Sequence, residues 1–265
     1  DLPTVLIGER INPSGKKKLA AALKEGDLEI LRKEAVAQMD AGADILDVNV
    51  VTTGVDEIAL LPKAVETLME TVDVPLSIDF NNPEALKGAL KIYQGKPIVN
   101  SVSGEEKSLN EILPLVKEYG AAVIGLTIDD EGIPKNPEKR VAIAHKIIER
   151  AGSLEIPPED VIIDCLALTI GSDTNAGLVT LEAIRRVKAE LDVNQNLGAS
   201  NISFGLPNRE VINHAFLAIA VTAGVTCPTV NVAKVRSAVL AADLILGRDR
   251  YAMRYLKDYR KGLSH

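Results

Sequence analysis

Short apolar, β-branched runs recur along the chain at Val5 to Gly8, Asp44 to Asn49, Leu76 to Asp79, Pro97 to Asn100, Ala121 to Thr127, Val161 to Asp164, Leu197 to Ser200 and Thr229 to Val232. Runs this short and this apolar read as buried strands. Between them lie segments whose apolar residues fall at helical spacing, such as Leu28-Leu31-Ala35-Met39, Ile112-Leu115-Val116 and Val141-Ile143-Ile147-Ile148. Each is long enough for a crossover helix. Helix punctuation agrees, with Gly42, Gly120 and Gly224 after predicted helices and Pro83 near the start of another. Strands alternating with helices every roughly 33 residues, with no polar linker, predict an α/β fold, a closed TIM (β/α)₈ barrel forming a single domain over residues 1–265. An open doubly wound sheet is the alternative, and no G-x-G-x-x-G follows the first strand to support it. The segment Asp249 to Arg260 reads as an extra amphipathic helix that closes the barrel bottom or joins a dimer interface.

Composition narrows the partners. The hydrophobic content of 46% is mostly aliphatic, aromatics make up 3% and Trp is absent, so a base-stacking nucleic-acid platform is not expected. The net charge of −7 opposes a phosphate-backbone partner, and the basic run Lys16-Lys17-Lys18 reads as a solvated loop. Cys165 and Cys227 are too few and too far apart for a metal knuckle or a disulfide framework, which makes a reducing cytoplasm the default location. No apolar stretch reaches the roughly 18 residues of a transmembrane helix, no secretory leader is recognisable, and Asp1 reads as a processed or trimmed start.

In such a barrel the chemistry sits where strands end, and here the ends are polar. The first run leads into Glu9-Arg10-Ile11-Asn12, the second ends in Asp47-Val48-Asn49, the third in Asp79-Phe80-Asn81-Asn82, the fourth in Asn100-Ser101, the sixth in Asp164 and the seventh in Ser200-Asn201. Helix capping explains any one of these junctions. Recurrence at most of the eight favours a shared polar pocket. None of His145, His214 and His265 ends a strand, no Cys or Lys does so beside a base, and no phosphate-cradling glycine loop appears, so nucleophilic, zinc and Schiff-base chemistry lose support. Carboxylates and carboxamides remain. They suit a flat heterocycle with amide and amino groups along one edge, such as a pterin. Mg²⁺ is the alternative ligand, and the neutral Asn and Ser positions weigh against it.

At these positions the chain resembles the pterin-binding methyltransferases: methyltetrahydrofolate:corrinoid/iron-sulfur protein methyltransferase, the folate module of cobalamin-dependent methionine synthase, and the tetrahydrofolate methyltransferases of anaerobic O-demethylation systems. The matching stretches are Gly8 to Asn12, Ala41 to Asp44 with Leu46 to Asn49, Ile78-Asp79, Ile98 to Ser103, Tyr119 to Thr127, Gly132 to Pro134, Ile163-Asp164 and Gly198 to Ser203. The resemblance covers essentially the whole chain. Dihydropteroate synthase shares the pocket, but that family carries a cation where this chain has the amide of Asn201. A further departure is Asp164-Cys165, where many relatives have Asp-Pro.

The resemblance implies that Asp79 and Asp164 bind the N–H-rich pterin edge with Asn100, and that Glu9, Asp47, Asn49 and Ser101 also line the pocket. It places Asn201 at N5, where a poor amine leaving group needs a hydrogen bond or proton. Asn201, Asp79 and Asp164 are therefore the expected catalytic residues, with no metal. The implied substrate is tetrahydrofolate or 5-methyltetrahydrofolate, and the implied partner is a corrinoid protein carrying the cobalamin. Residues 129–135 and 204–209 are the docking loops on this reading, with Arg209 at a folate glutamate or at the partner, and the family implies a homodimer. The alternatives are a dihydropteroate synthase-like enzyme and a non-catalytic folate-binding protein.

Overall fold

The protein is described from a computed structural model that covers residues 2–262; Asp1 and His265 lie outside the described residues. Eight strands form one parallel sheet: β1 (Ile7–Ile11), β2 (Ile45–Val48), β3 (Leu76–Asp79), β4 (Ile98–Ser103), β5 (Ala122–Leu126), β6 (Val161–Asp164), β7 (Gln195–Asn196) and β8 (Thr229–Val230). Their order is β7-β6-β5-β4-β3-β2-β1-β8. The sheet closes between β7 and β8 through a parallel bridge of Gly198 with Thr229, supported by Thr229 N–H donating to the Leu197 carbonyl at 3.0 Å. This is the predicted (β/α)₈ barrel.

The crossovers are helical: α1 (Lys17–Glu25) and α2 (Glu29–Asp40) after β1, then α3 (Glu57–Met69), α4 (Pro83–Ile92), α5 (Glu106–Tyr119), α6 (Pro137–Ser153), α7 (Ala176–Leu191), α8 (Arg209–Ala223) and α9 (Val232–Ile245), with α10 (Met253–Gly262) added at the end. Local chemistry explains the boundaries. Asn82 and Asn136 each accept a backbone N–H in the first turn of the helix they precede, with Pro83 and Pro137 at the first helical position. Gly120 ends α5 at φ 62°, a left-handed conformation that costs a β-carbon-bearing residue about 1–2 kcal/mol. Among the described residues no helix is long and apolar enough to cross a membrane.

The period of two along each strand divides the barrel into two cores. Leu6, Leu46, Val48, Ile78, Val99, Val123 and Ile163 point outward and join the main cluster under the helices. Ile7, Ile98, Ile124, Ile162 and Cys227 point inward and form a separate cluster with Val5, Ile45, Ala122 and Leu126. Each fully buried aliphatic side chain contributes about 1.5–3 kcal/mol. The inner cluster fills the lower barrel and separates the polar mouth from the N-terminal ends of the strands.

Four strands differ from the sequence reading by more than one residue at a boundary. The fourth strand runs on to Ser103, so Asn100 and Ser101 lie within it rather than at its end. The first strand begins at Ile7 and runs to Ile11, so Glu9 lies within it rather than after it. The seventh is Gln195–Asn196, not Leu197 to Ser200; residues Ala199–Ser203 form a 3₁₀ turn. The cause is that β7 is polar yet buried: the Gln195 side chain donates to the Ile184 carbonyl at 3.0 Å and its N–H donates to Thr226 Oγ1 at 3.0 Å, while Leu197 packs outward in the main core. The eighth stops at Val230, with Val232 already in α9. The predicted extra helix is α10, preceded by a 3₁₀ turn at Arg250–Ala252. Arg254 ties it to the N-terminal end of the barrel, bonding Asp243 Oδ2 at 2.9 Å and the Thr4 carbonyl at 3.3 Å.

Candidate active site

On six of the strands, continuing the inward face by two residues reaches a polar side chain. Ile7 is followed by Glu9, Ile45 by Asp47 and Asn49, Ser77 by Asp79, Ile98 by Asn100, Ile162 by Asp164, and Cys227 by Thr229. These side chains form two hydrogen-bonded groups on opposite arcs of the barrel mouth. On the β2–β4 arc, Ser77 Oγ and the Asn100 amide both donate to Asp47 Oδ1, at 2.7 and 2.9 Å, and the Asn49 amide donates to Asp79 Oδ2 at 2.8 Å. Strand register explains the contacts, since Asp47 lies opposite Ser77 and Asp79 opposite Asn100. On the β6–β8 arc, Asp164 Oδ1 accepts the Leu166 N–H at 2.7 Å and Oδ2 accepts the Asn196 amide at 2.9 Å. Asn196 is oriented in turn by Thr229, whose hydroxyl donates to Asn196 Oδ1 at 2.8 Å.

Burial decides the electrostatics. Asp79 is pushed up to about 7, first by desolvation and then by the neighbouring charge of Asp47, with the Asn49 amide working the other way. Asp164 is pushed up to about 6 by burial, against the pull of the Leu166 and Gly198 N–H groups, the Asn196 amide and the charge of Arg140. Burial raises Asp47 as well. Glu9 is raised by burial and lowered by Lys16 and Ser200. Carboxylates held at this level want further N–H donors, and each oxygen has lone-pair capacity beyond the bond it already accepts. Among the described residues no group of three or more His, Cys, Asp or Glu is arranged to hold a metal ion.

The expected site residues therefore separate by position. Asp47, Asn49, Asp79, Asn100 and Asp164 converge inside the mouth. Glu9 sits at the rim, its Oε2 3.5 Å from Ser200 Oγ, beside a cleft of about 390 Å³ between α8 and α9 that Arg209, Asn213, Asn231 and Lys234 also line. Ser101 is half-buried, and its side chain makes no hydrogen bond among the described residues. Asn201 is exposed in the 3₁₀ turn rather than at the end of β7. Arg209 is the first residue of α8; it donates from Nε to Ser203 Oγ at 3.0 Å and from Nη2 to the Ser200 carbonyl at 2.7 Å. The loop Asp129 to Lys135 carries a tight Asp129–Gly132 bridge, and Lys139 lies 3.9 Å from Asp129. Sequence reading missed Asn196, Thr229 and Ser77. Asn196 carried a usable signal, because Asn194 and Asn196 alternate with the buried Gln195 as strand positions do, but polar residues hid the strand.

Comparison with known proteins shows the family. The model of the family described as pterin binding enzyme matches residues 8–231. The chain is 31% identical over 268 residues to methylcorrinoid:tetrahydrofolate methyltransferase of Eubacterium limosum, covering 97% of both. It is 33% identical over 248 residues to methionine synthase of Mycobacterium tuberculosis, covering 89% of this chain and 21% of that one. In structure it resembles dihydropteroate synthase of Clostridium difficile, determined with pteroic acid, with a TM-score of 0.76 at 24% identity over 92% of this chain and 97% of that one. The enzyme of Yersinia pestis gives a TM-score of 0.73 at 18% identity, over 93% and 95%. At that identity the likeness carries the fold. With the family match running from β1 through β8, the chain belongs to the family of pterin-binding enzymes.

Proposed function

We propose that this protein is a methyltransferase that moves a methyl group between N5 of tetrahydrofolate and the cobalt of a corrinoid protein. The observation that carries the reading is the pair of amide-held carboxylates, Asp79 with Asn49 and Asp164 with Asn196, set into a barrel whose whole length matches a methylcorrinoid:tetrahydrofolate methyltransferase. Asp164 and Asp79 accept the N–H groups of the pterin edge, and Asn100 completes the set. Asp47 is buried and anchors Asn100, whose amide donates to its Oδ1 at 2.9 Å. Asn49 and Ser101 line the same pocket, with Glu9 at the rim.

The chemical difficulty is that an amine leaves poorly as an anion, so N5 must be hydrogen-bonded or protonated as the methyl departs. Asn201, exposed on the 3₁₀ turn at the rim, reaches N5 and stabilises that state; the proton itself travels through water or the carboxylates, because a carboxamide has none to give near neutrality. The corrinoid, carried by the partner, supplies the cobalt that accepts or donates the methyl group. Run in reverse, the same contacts serve by microscopic reversibility. The folate tail lies in the cleft beside Glu9, where Arg209 and Lys234 meet its carboxylates. The corrinoid protein docks over residues 129–135 and 204–209.

Two further points belong to this reading. The protein acts in the reducing cytoplasm, consistent with Cys165 and Cys227 both free and buried. It forms a homodimer through α10 and the 3₁₀ turn before it, where Tyr251, Met253 and Tyr259 are exposed. A dihydropteroate synthase reading is weaker, because the position after β7 offers an amide in place of a cation.

Anaerobic mixing with 5-methyltetrahydrofolate and chemically reduced free cobalamin tests the reaction. Methylation of the corrinoid, read by absorbance and lost in Asp164→Asn, is the expected result. Failure to bind folate overturns the pterin pocket; folate binding without methyl transfer to free cobalamin or to a corrinoid protein leaves only a binding protein.

A further inference from the structure

Arg140, in the first turn of α6, is 1% exposed, the largest of the fully buried side chains. A buried guanidinium is costly unless its N–H groups are matched. Its matches are not carboxylates but carbonyl oxygens of two loops and a hydroxyl of α7. Nε donates to the Pro134 carbonyl at 2.9 Å, and Nη1 lies 2.7 Å from the Cys165 carbonyl, 2.8 Å from the Leu166 carbonyl and 3.1 Å from Thr180 Oγ1. The Thr180 hydroxyl is also 3.0 Å from the Leu166 carbonyl.

These contacts act on a strained turn. Leu166 has φ 60°, in the left-handed region that a leucine occupies only when its surroundings hold it there, at a cost of about 1–2 kcal/mol. That conformation aims the Leu166 N–H back at Asp164 Oδ1, 2.7 Å away. We propose that Arg140 is a positioning residue for pterin recognition: by gripping the carbonyls of Cys165 and Leu166, it holds the turn after β6 in the shape that fixes the Asp164 carboxylate toward the barrel mouth. The arrangement also explains why a cation is buried here without an acid of its own, since its charge lies close enough to favour the ionised form of Asp164. This inference rests on Asp164 being a pterin ligand.

The test compares tetrahydrofolate binding across pH for the wild type, Arg140→Lys and Arg140→Gln, each checked for folding by circular dichroism. Lysine keeps the charge but offers one compact ammonium to four oxygens; glutamine removes the charge. The groups facing Asp164 are Arg140 from α6, Cys165 beside it and Cys227 ahead of β8, with Asn196 and Thr229 not ionising; both thiols are pushed far above neutrality by burial. Arg140 is therefore the charge to which Asp164 responds. The expected result is folate affinity at pH 7 about tenfold lower in both variants, and a lower binding midpoint that moves upward in Arg140→Gln. A merely structural arginine would lower the melting temperature and leave that midpoint in place. Should neither variant fold, Thr180→Val removes one member of the same cluster and is expected to weaken folate binding in the same direction by a smaller factor. Folded variants with wild-type affinity and an unmoved midpoint overturn the proposal, whereas wild-type protein that does not bind folate overturns the pterin reading beneath it.

Discussion

The side-chain amide of Asn196 donates to Asp164 Oδ2 at 2.9 Å, joining the ends of two neighbouring strands inside the barrel. With Thr229 fixing the other side of the Asn196 amide, a three-residue chain across β6, β7 and β8 presents one carboxylate in one orientation. The orientation is what a planar ligand needs.

Replacing Asn196 with Leu removes that donor and leaves the Thr229 hydroxyl without its acceptor. Loss of a hydrogen bond to a buried charged group costs about 1.5–3 kcal/mol, so tetrahydrofolate affinity is expected to fall about tenfold or more. Calorimetric titration checks it; unchanged affinity in the folded variant means that Asp164 does not depend on this chain of contacts.

Proton linkage runs in opposite directions for the free and the bound protein. Asp79 and Asp164 have folded values near 7 and 6, raised above the ordinary 3.8. Their contribution to stability is full below the ordinary value and is lost as pH rises through 6 and 7, because the charged forms are the desolvated ones. Pterin N–H donors favour those charged forms, so folate affinity is expected to rise over the same window. Melting temperatures at pH 5 and pH 8, with and without folate, test both signs together. Asp79→Asn is expected to melt higher than wild type at pH 8 and to bind folate poorly.

Asn201 separates catalysis from binding. Its side chain takes no part in the carboxylate network, so Asn201→Ala is expected to leave folate affinity within about twofold while lowering the single-turnover methyl-transfer rate by about ten- to a hundredfold. A full-rate variant would remove Asn201 from the mechanism and return N5 to water alone.

Gly8 is a packing site in the first strand. A β-carbon there would lie 2.4 Å from Gln38 Oε1, the atom that accepts the Arg10 N–H at 2.9 Å. Gly8→Ala is expected to destabilise the fold by about 1–3 kcal/mol, read by denaturant unfolding. A neutral outcome would show that α2 can shift away from β1.

The sequence alone determined the alternation of strand and helix, and with it the barrel, because apolar period is a local property that tertiary packing uses rather than rewrites. It also offered Asp47, Asn49, Asp79, Asn100 and Asp164 as pocket candidates, because polar residues recur where the apolar runs end. What tertiary structure decided is which polar residues meet. Asn196 and Gln195 are polar residues in a buried strand, and their burial is made possible by partners on other segments, Asp164, Thr229, Thr226 and Ile184, that no local pattern announces. The seventh strand was placed two residues late for that reason, which put Asn201 at a strand end instead of in an exposed turn. Arg140 is the same case in the extreme: in sequence it is one more helical cation, and only closure of the barrel brings the carbonyls of Cys165 and Leu166 to its guanidinium, because satisfying buried donors is a property of the packed whole.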